Sequence, residues 1–344
     1  MSIGTGASST DLLEAPPRAR WSALPAALQT RSKPPLFVPR AHVSNLDQAG
    51  RRDYLIREGV PSVETPSEFG PRLAAMREQM GEWAAFVGAL AASGITQPHV
   101  VADRMDRFEQ FLGRLPERLF NGSDAGIDFD GLAVLLEPGF EYSLEKTDGF
   151  AVGTEQWARH FPDPVSMTAN CIDIAALFAL IVALKSQVVT GEGYYFGLRH
   201  ASACLGIGSV RPKLFEFIDT LDNPGRCTHV IDPQVDYANP SQFLVGSNFV
   251  FVSSILLQMA YAVHSYFLFS AKQGEKSLQL FSLGMQLSAA AEQLDPFNPF
   301  IYENRRKLFR ENGDPAQAQA NDLLAREVYK LHFRGNDPCY DLID

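Results

Sequence analysis

Three residues near the middle of the chain have the types that could act together as nucleophile, base and orienting acid: Cys171, His200 and Asp232. A thiolate attacks a carbonyl carbon readily, but it needs a general base to take its proton and a third group to hold that base in the right tautomer. Cys171 opens the apolar stretch CIDIAALFALIVAL, just after Thr168 and Asn170, both good helix N-cap types. A thiol in the first turn of a helix meets the positive end of the helix dipole and backbone N–H groups with no helical partner. Both favour the thiolate, and the same N–H groups can receive the oxyanion formed at an attacked carbonyl. Seven histidines compete for the base; His200 follows Cys171 by 29 residues at the start of a strand-like piece. Asp232 follows by a further 32, in the stretch His229-Val-Ile-Asp-Pro. The expectation is a buried helix led by Cys171, with His200 and Asp232 on adjacent strands facing it.

A rival constellation shares one of these residues. His200, Cys204, Cys227 and His229 supply two thiols and two imidazoles, and alternation puts His200 with Cys204, and Cys227 with His229, on one face of their strands. If those strands paired, the four could close around zinc. Their spacings match no strong zinc pattern, so the expectation is no metal and no cofactor. His229 and Asp232 are three apart and face opposite ways, which makes His229 a poor base for the same triad. Gln156 or Trp157, upstream of the nucleophile, could complete an oxyanion hole, although a tryptophan is more often a core residue. Taken singly, Cys171 reads as core packing, His200 as a surface residue after Arg199, and Asp232 as a turn with Pro233; the order of the three is what raises them.

The motif Cys171-x-Asp173-x-Ala175, leading into an apolar helix, resembles the nucleophile motif of bacterial transglutaminase-like proteins. His200-Ala201 resembles the strand that carries that family's histidine, and Ile231-Asp232-Pro233 resembles its Val-Asp-Pro strand end. The resemblance spans about residues 165 to 240 and departs from the pattern at Ala169 (usually glycine), at Ser202 (usually tryptophan) and in an apparent insertion from Gly206 to Arg226. It implies a branch of the papain-like cysteine peptidase fold, a helix packed on an antiparallel sheet. It also implies thiol-dependent acyl transfer through a thioester on Cys171. Water as acceptor would make the chain a peptidase or amidase; an amine would make it a transglutaminase or an amide-forming condensing enzyme. The substrate would be protein, peptide or acyl-carrier-linked. The alternative is a catalytically inactive scaffold that binds a protein partner through its C-terminal helices.

The elements that must position these residues follow from composition and periodicity. The chain has 344 residues, 46% of them hydrophobic and 20% charged, enough for a sizeable core. Thirty Lys+Arg against 40 Asp+Glu give a net charge of −10, which argues against a general nucleic-acid binder. Arg51-Arg52 and Arg305-Arg306-Lys307 read as solvated faces. Four cysteines, at 171, 204, 227 and 339, do not form a disulfide framework; with no secretory signal pattern at the start, a cytoplasmic location is expected. Residues 1–66, rich in Pro, Ser, Ala and Arg, read as a flexible arm. Leu73, Met76, Met80, Trp83, Val87 and Leu90 form one helical stripe ended by Gly94. A second helix is expected from Pro98 to Leu115, a loop-rich stretch from 121 to 166, and strands at 188–198, 200–207 and 228–232. A short polar connection then leads into an all-helical end.

The apolar run 248–269 contains Asn248, Gln258 and His264, which a membrane-spanning helix would avoid, so it reads as a buried helix. Residues 294–326 resemble a tetratricopeptide repeat at Leu294-Asp-Pro, Tyr302, Gly313-Asp314, Ala318 and Ala325. A weaker copy turns at Gly274, 39 residues before Gly313, against the family's period of about 34. Two repeats are too few to stand alone, so they should pack on the rest as one body. The fold expected is α+β: a papain/transglutaminase-like domain over 67–240 with N-terminal helices, and a helical tetratricopeptide-like region over 241–344. No membrane span is expected, and a protein partner could sit on the C-terminal helices.

Overall fold

The structure, a computed structural model, describes residues 43–62, 65–120, 127–143, 150–186, 190–195, 201–205, 213–217, 228–231, 234–235, 242–245, 248–252, 255–272, 274–275, 277–294 and 296–332. The first helix among the described residues, α1 (Gln48–Glu58), lies where a flexible arm was expected. Asp47 caps it by accepting from the Gly50 N–H at 2.8 Å. Leu55 is fully buried beneath it, and Arg51 stacks over Trp83 while bonding Glu109 at 2.7 Å. One well-placed leucine and one paired arginine outweigh the polar composition around them. The single stripe from Leu73 to Leu90 is buried throughout but belongs to two helices, α2 (Pro66–Met80) and α3 (Trp83–Ala92). The chain turns between them at Gly81, whose φ of 59° suits glycine. Helix α4 (Pro98–Arg114) starts at proline as expected and buries Val101, Met105, Phe108, Phe111 and Leu112.

The stretch from 121 to 166, expected to be loop-rich, holds α5 (Phe129–Leu136), β1 (Phe140–Tyr142) and α6 (Phe150–Arg159), and β2 (Met167–Ala169) follows it. Helix α7 (Cys171–Ser186) follows at once. A seven-stranded antiparallel sheet comes next: β3 (Thr190–Tyr195), β4 (Ala201–Leu205), β5 (Lys213–Phe217), β6 (Thr228–Ile231), β7 (Gln234–Val235), β8 (Gln242–Val245) and β9 (Asn248–Val252), in the order β6-β5-β4-β3-β9-β8-β7. Two of these differences correct the sequence reading. The apparent insertion supplies β5, and the start of the apolar run is β9, not helix. Asn248–Val252 reads NFVFV, whose β-branched and aromatic residues suit a strand held between β3 and β8.

Four helices follow among the described residues: α8 (Ile255–Lys272), α9 (Leu278–Leu294), α10 (Pro299–Asn312) and α11 (Pro315–His332). Gly274 and Gly313, both expected at tight turns, have φ of 82° and 83°. Asn298 caps α10 by accepting from the Phe300 N–H. These helices share one core with the rest: α8 packs on α3 and α7, and α9 on α2. Contact is close enough that a Cβ on Gly70 would sit 2.9 Å from the Ala290 Cβ. The described chain is therefore α+β, mostly helical, around an antiparallel sheet. No described helix is long and apolar enough to cross a membrane.

Candidate active site

The turn that presents Cys171 is held from both sides. Upstream, β2 pairs in parallel with β1, Tyr142 against Ala169, and the Ser143 N–H donates to the Ala169 carbonyl at 2.9 Å. Downstream, Asn170 caps α7: its side-chain oxygen accepts from the Asp173 N–H at 3.0 Å, and its carbonyl accepts from the Ile174 N–H at 3.1 Å. The Asp173 carboxyl in turn accepts a hydrogen bond from the Asn170 backbone. This is a reciprocal capping box, Asn-x-x-Asp in place of the more frequent Ser/Thr-x-x-Glu, and it fixes the backbone on both sides of the thiol. Cys171 itself is buried, 6% exposed. Burial pushes the Asp173 carboxyl up to about 7, only partly opposed by the hydrogen bond from Asn170. Below about pH 7 a carboxyl that burial holds protonated does not compete with a thiolate for the same helix end.

Helix α7 lies on the sheet. Phe178 stacks on Phe215 with ring centroids 3.8 Å apart, and Ala203, Leu205 and Phe215 join the helix in one core. The Thr190 hydroxyl donates to the Ala179 carbonyl at 3.0 Å, which sets the start of β3 over the second half of the helix. From there β3 runs back toward the Cys171 end, and the antiparallel register (Thr190 with Leu205, Tyr194 with Ala201) makes β4 begin at that end.

His200 and Asp232 lie outside the described residues, but the strands next to them in sequence are described. Ala201 begins β4 at the Cys171 end of the sheet. Ile231 ends β6 opposite Leu214, which pairs with Cys204, toward the far end. Strand β5 separates β4 from β6, so the two strands expected to be adjacent do not pair. The physical reason is that Lys213–Phe217 pairs with both neighbours and takes the slot between them.

Cys204, Leu214 and Glu216 are buried on the sheet face away from α7, because alternation opposes them to Ala203 and Phe215. Burial raises the Glu216 carboxyl to about 7. For the rival zinc site, His200 and Cys227 lie outside the described residues, and Cys204 and His229 sit on strands separated by β5. Gln156 is exposed. Trp157 is fully buried among Phe111, Phe140 and Phe161, pressed against Gly139, where a Cβ would lie 1.5 Å from its Nε1. Sequence reasoning named Asn170 and Asp173 separately and missed their reciprocal bonding; the spacing of three between a cap residue and an acid was the available signal.

No family model, curated protein or solved structure matches this chain.

Proposed function

We propose that the chain is a thiol-dependent acyl transferase or hydrolase built on a papain/transglutaminase-like core, with Cys171 as nucleophile, His200 as base and Asp232 as orienting acid. The observation that carries this reading is Cys171 as the first residue of a core helix laid on an antiparallel sheet, its turn fixed by the Asn170–Asp173 capping box. The first turn of such a helix favours a thiolate and offers N–H groups to an oxyanion. The thiolate would attack an amide or thioester carbonyl, releasing the amine or thiol with a proton from His200. Water or an amine, deprotonated by the same imidazole, would then displace the Cys171 thiolate. The substrate would be protein, peptide or acyl-carrier-linked, and the location cytoplasmic.

The strand order bears unequally on the two partners. Strand β4 starts at the Cys171 end, as the base requires. The base also requires the His200 imidazole on the helix side of β4, with Ala203 and Leu205, whereas unbroken alternation would put it with Cys204 on the other side, so the role needs a break in alternation ahead of Ala201. Asp232 follows the far end of β6 and has the weaker support. A second reading, an inactive scaffold whose C-terminal helices bind a protein, is favoured by the burial of Cys171. The test is the rate of covalent labelling by an electrophilic acyl probe against pH, for the wild type, Cys171→Ser, His200→Ala and Asp232→Asn. Labelling lost in Cys171→Ser, and suppressed at neutral pH but partly restored at high pH in His200→Ala, supports catalysis. Equal rates in all four proteins support the scaffold.

A further inference from the structure

A cluster of positive charge surrounds a cavity of about 460 Å³ between α3, α4 and α6. Four guanidiniums line it, from Arg104, Arg107, Arg114 and Arg159, against one carboxylate, Glu155. Glu155 is nearly buried and binds three of them: Arg104 at 3.0 Å, Arg107 at 2.9 Å, and Arg159. Arg114 donates instead to the Phe161 carbonyl at 3.1 Å and to that of Ala158, at the end of α6. One carboxylate compensates one of four positive charges, in a chain whose net charge is −10. Like charges held this close repel one another unless an anion sits among them.

A second observation points the same way. Arg104 Nη1 is buried with no hydrogen-bond partner among the described residues. A buried charged donor left without an acceptor is costly; being closed to solvent, this one needs a small shift of Arg104 to reach an anion in the cavity. Below the guanidiniums lie Phe86 and Phe108, core residues stacked at 4.9 Å with almost no exposed surface. Forked guanidinium donors match the oxygens of a phosphate group.

We propose that this cavity binds a small phosphate-bearing molecule, its phosphate among Arg104, Arg107 and Arg159. The site is independent of the thiol chemistry proposed for Cys171. In sequence it is inconspicuous, since Arg104, Arg107 and Arg114 are spaced by three and seven along α4 and Arg159 comes from another helix.

The test is titration calorimetry of the full-length protein with pyrophosphate and with phenyl phosphate, in buffer of constant ionic strength. Saturable binding of either probe at millimolar concentration or tighter is expected. Arg107→Gln, about half exposed and therefore safe for folding, should weaken it by about tenfold, the usual effect of losing one charge-assisted contact. Arg104→Gln should weaken it at least as much. Tighter binding of phenyl phosphate would identify a phosphate ester as the occupant, and equal or tighter binding of pyrophosphate a free phosphate species. No saturable binding of either probe at 10 mM, or binding unchanged in Arg107→Gln, would overturn the proposal.

Discussion

Replacing Asp173 with asparagine tests the geometry around Cys171 through the pH dependence of stability. In the folded chain burial holds this carboxyl at about 7, against an ordinary value of 3.8. Between those values the folded protein keeps a proton that the unfolded protein has released, so stability falls as pH rises. About 3 pK units correspond to a total loss of about 4 kcal/mol, of which about 3 kcal/mol falls between pH 5 and pH 8. Asp173→Asn removes this titration while keeping an oxygen that can accept from the Asn170 N–H. The variant should therefore match the wild type only below about pH 4, exceed it by about 1 to 2 kcal/mol at pH 5 and exceed it by about 4 kcal/mol at pH 8. Urea unfolding of both proteins at several pH values measures this directly. The comparison must be a difference, because Glu216 titrates in the same direction over the same window and contributes to both curves. Parallel curves for wild type and variant would refute the reasoning. They would mean that Asp173 is ionised in the folded state and that the helix dipole dominates over burial. In that event a charged carboxylate would share the helix end with Cys171, and thiolate formation there would be opposed.

Three further outcomes are expected. His264, buried on α8 beside Lys307 and Arg310, is pushed down to about 3, first by burial and then by those two cations. Its contribution is present above pH 6.5 and lost as pH falls toward 3, about 2 kcal/mol by pH 5, so His264→Leu should outlast the wild type at pH 5 with little change at pH 8 in the same unfolding assay. Gly139→Ala should destabilise by about 2 kcal/mol or more, because the new methyl meets the rigid Trp157 ring, whereas Gly88→Ala should be milder, since it meets the flexible end of Met259; thermal unfolding ranks the two. A chain beginning at residue 63 should unfold at lower urea than one beginning at residue 43, because it loses Leu55, Val60 and the Arg51–Glu109 pair; equal midpoints would show that α1 is dispensable.

Much of the helical part was legible in the sequence because its signals are local. Pro98 at a helix start, the apolar stripe of α4, the all-round apolar α7 and the glycine turns at 274 and 313 each depend on neighbours within a few residues. What escaped was non-local. The break at Gly81 interrupts a stripe that continues in register on both sides of it. The burial of α1 depends on Trp83 and Glu109, far away in sequence, and nothing in residues 43–62 announces those partners. Strand β5 escaped because its five residues lie in a stretch set aside as an insertion when a family motif was matched across it. Strand β9 was hidden because NFVFV runs on into the apolar α8 with no charged residue between, and an apolar run alone does not distinguish strand from helix.

The same distinction between local and non-local information divides the proposed triad. The place of Cys171 is set by its own helix start, and local sequence was sufficient to find it. The relation of the other two residues depends on strand order, which sequence order does not give. Ala201 and Ile231 are two strand spacings apart across the sheet and three residues apart along it, a separation of roughly 14 Å. Because β4 and β6 run in the same direction, the residue before β4 and the residue after β6 are set off from opposite ends of the sheet. A histidine acting on Cys171 from the start of β4 is at the right end of the sheet but must break the strand's alternation to reach the helix side, while an aspartate orienting it from the end of β6 would have to cross the sheet. The expected result is that His200→Ala slows labelling of Cys171 at neutral pH far more than Asp232→Asn does. If Asp232→Asn is as damaging as His200→Ala, and both recover at high pH, then Asp232 meets His200, and the connection after β6 brings it back across β5 to the Cys171 end.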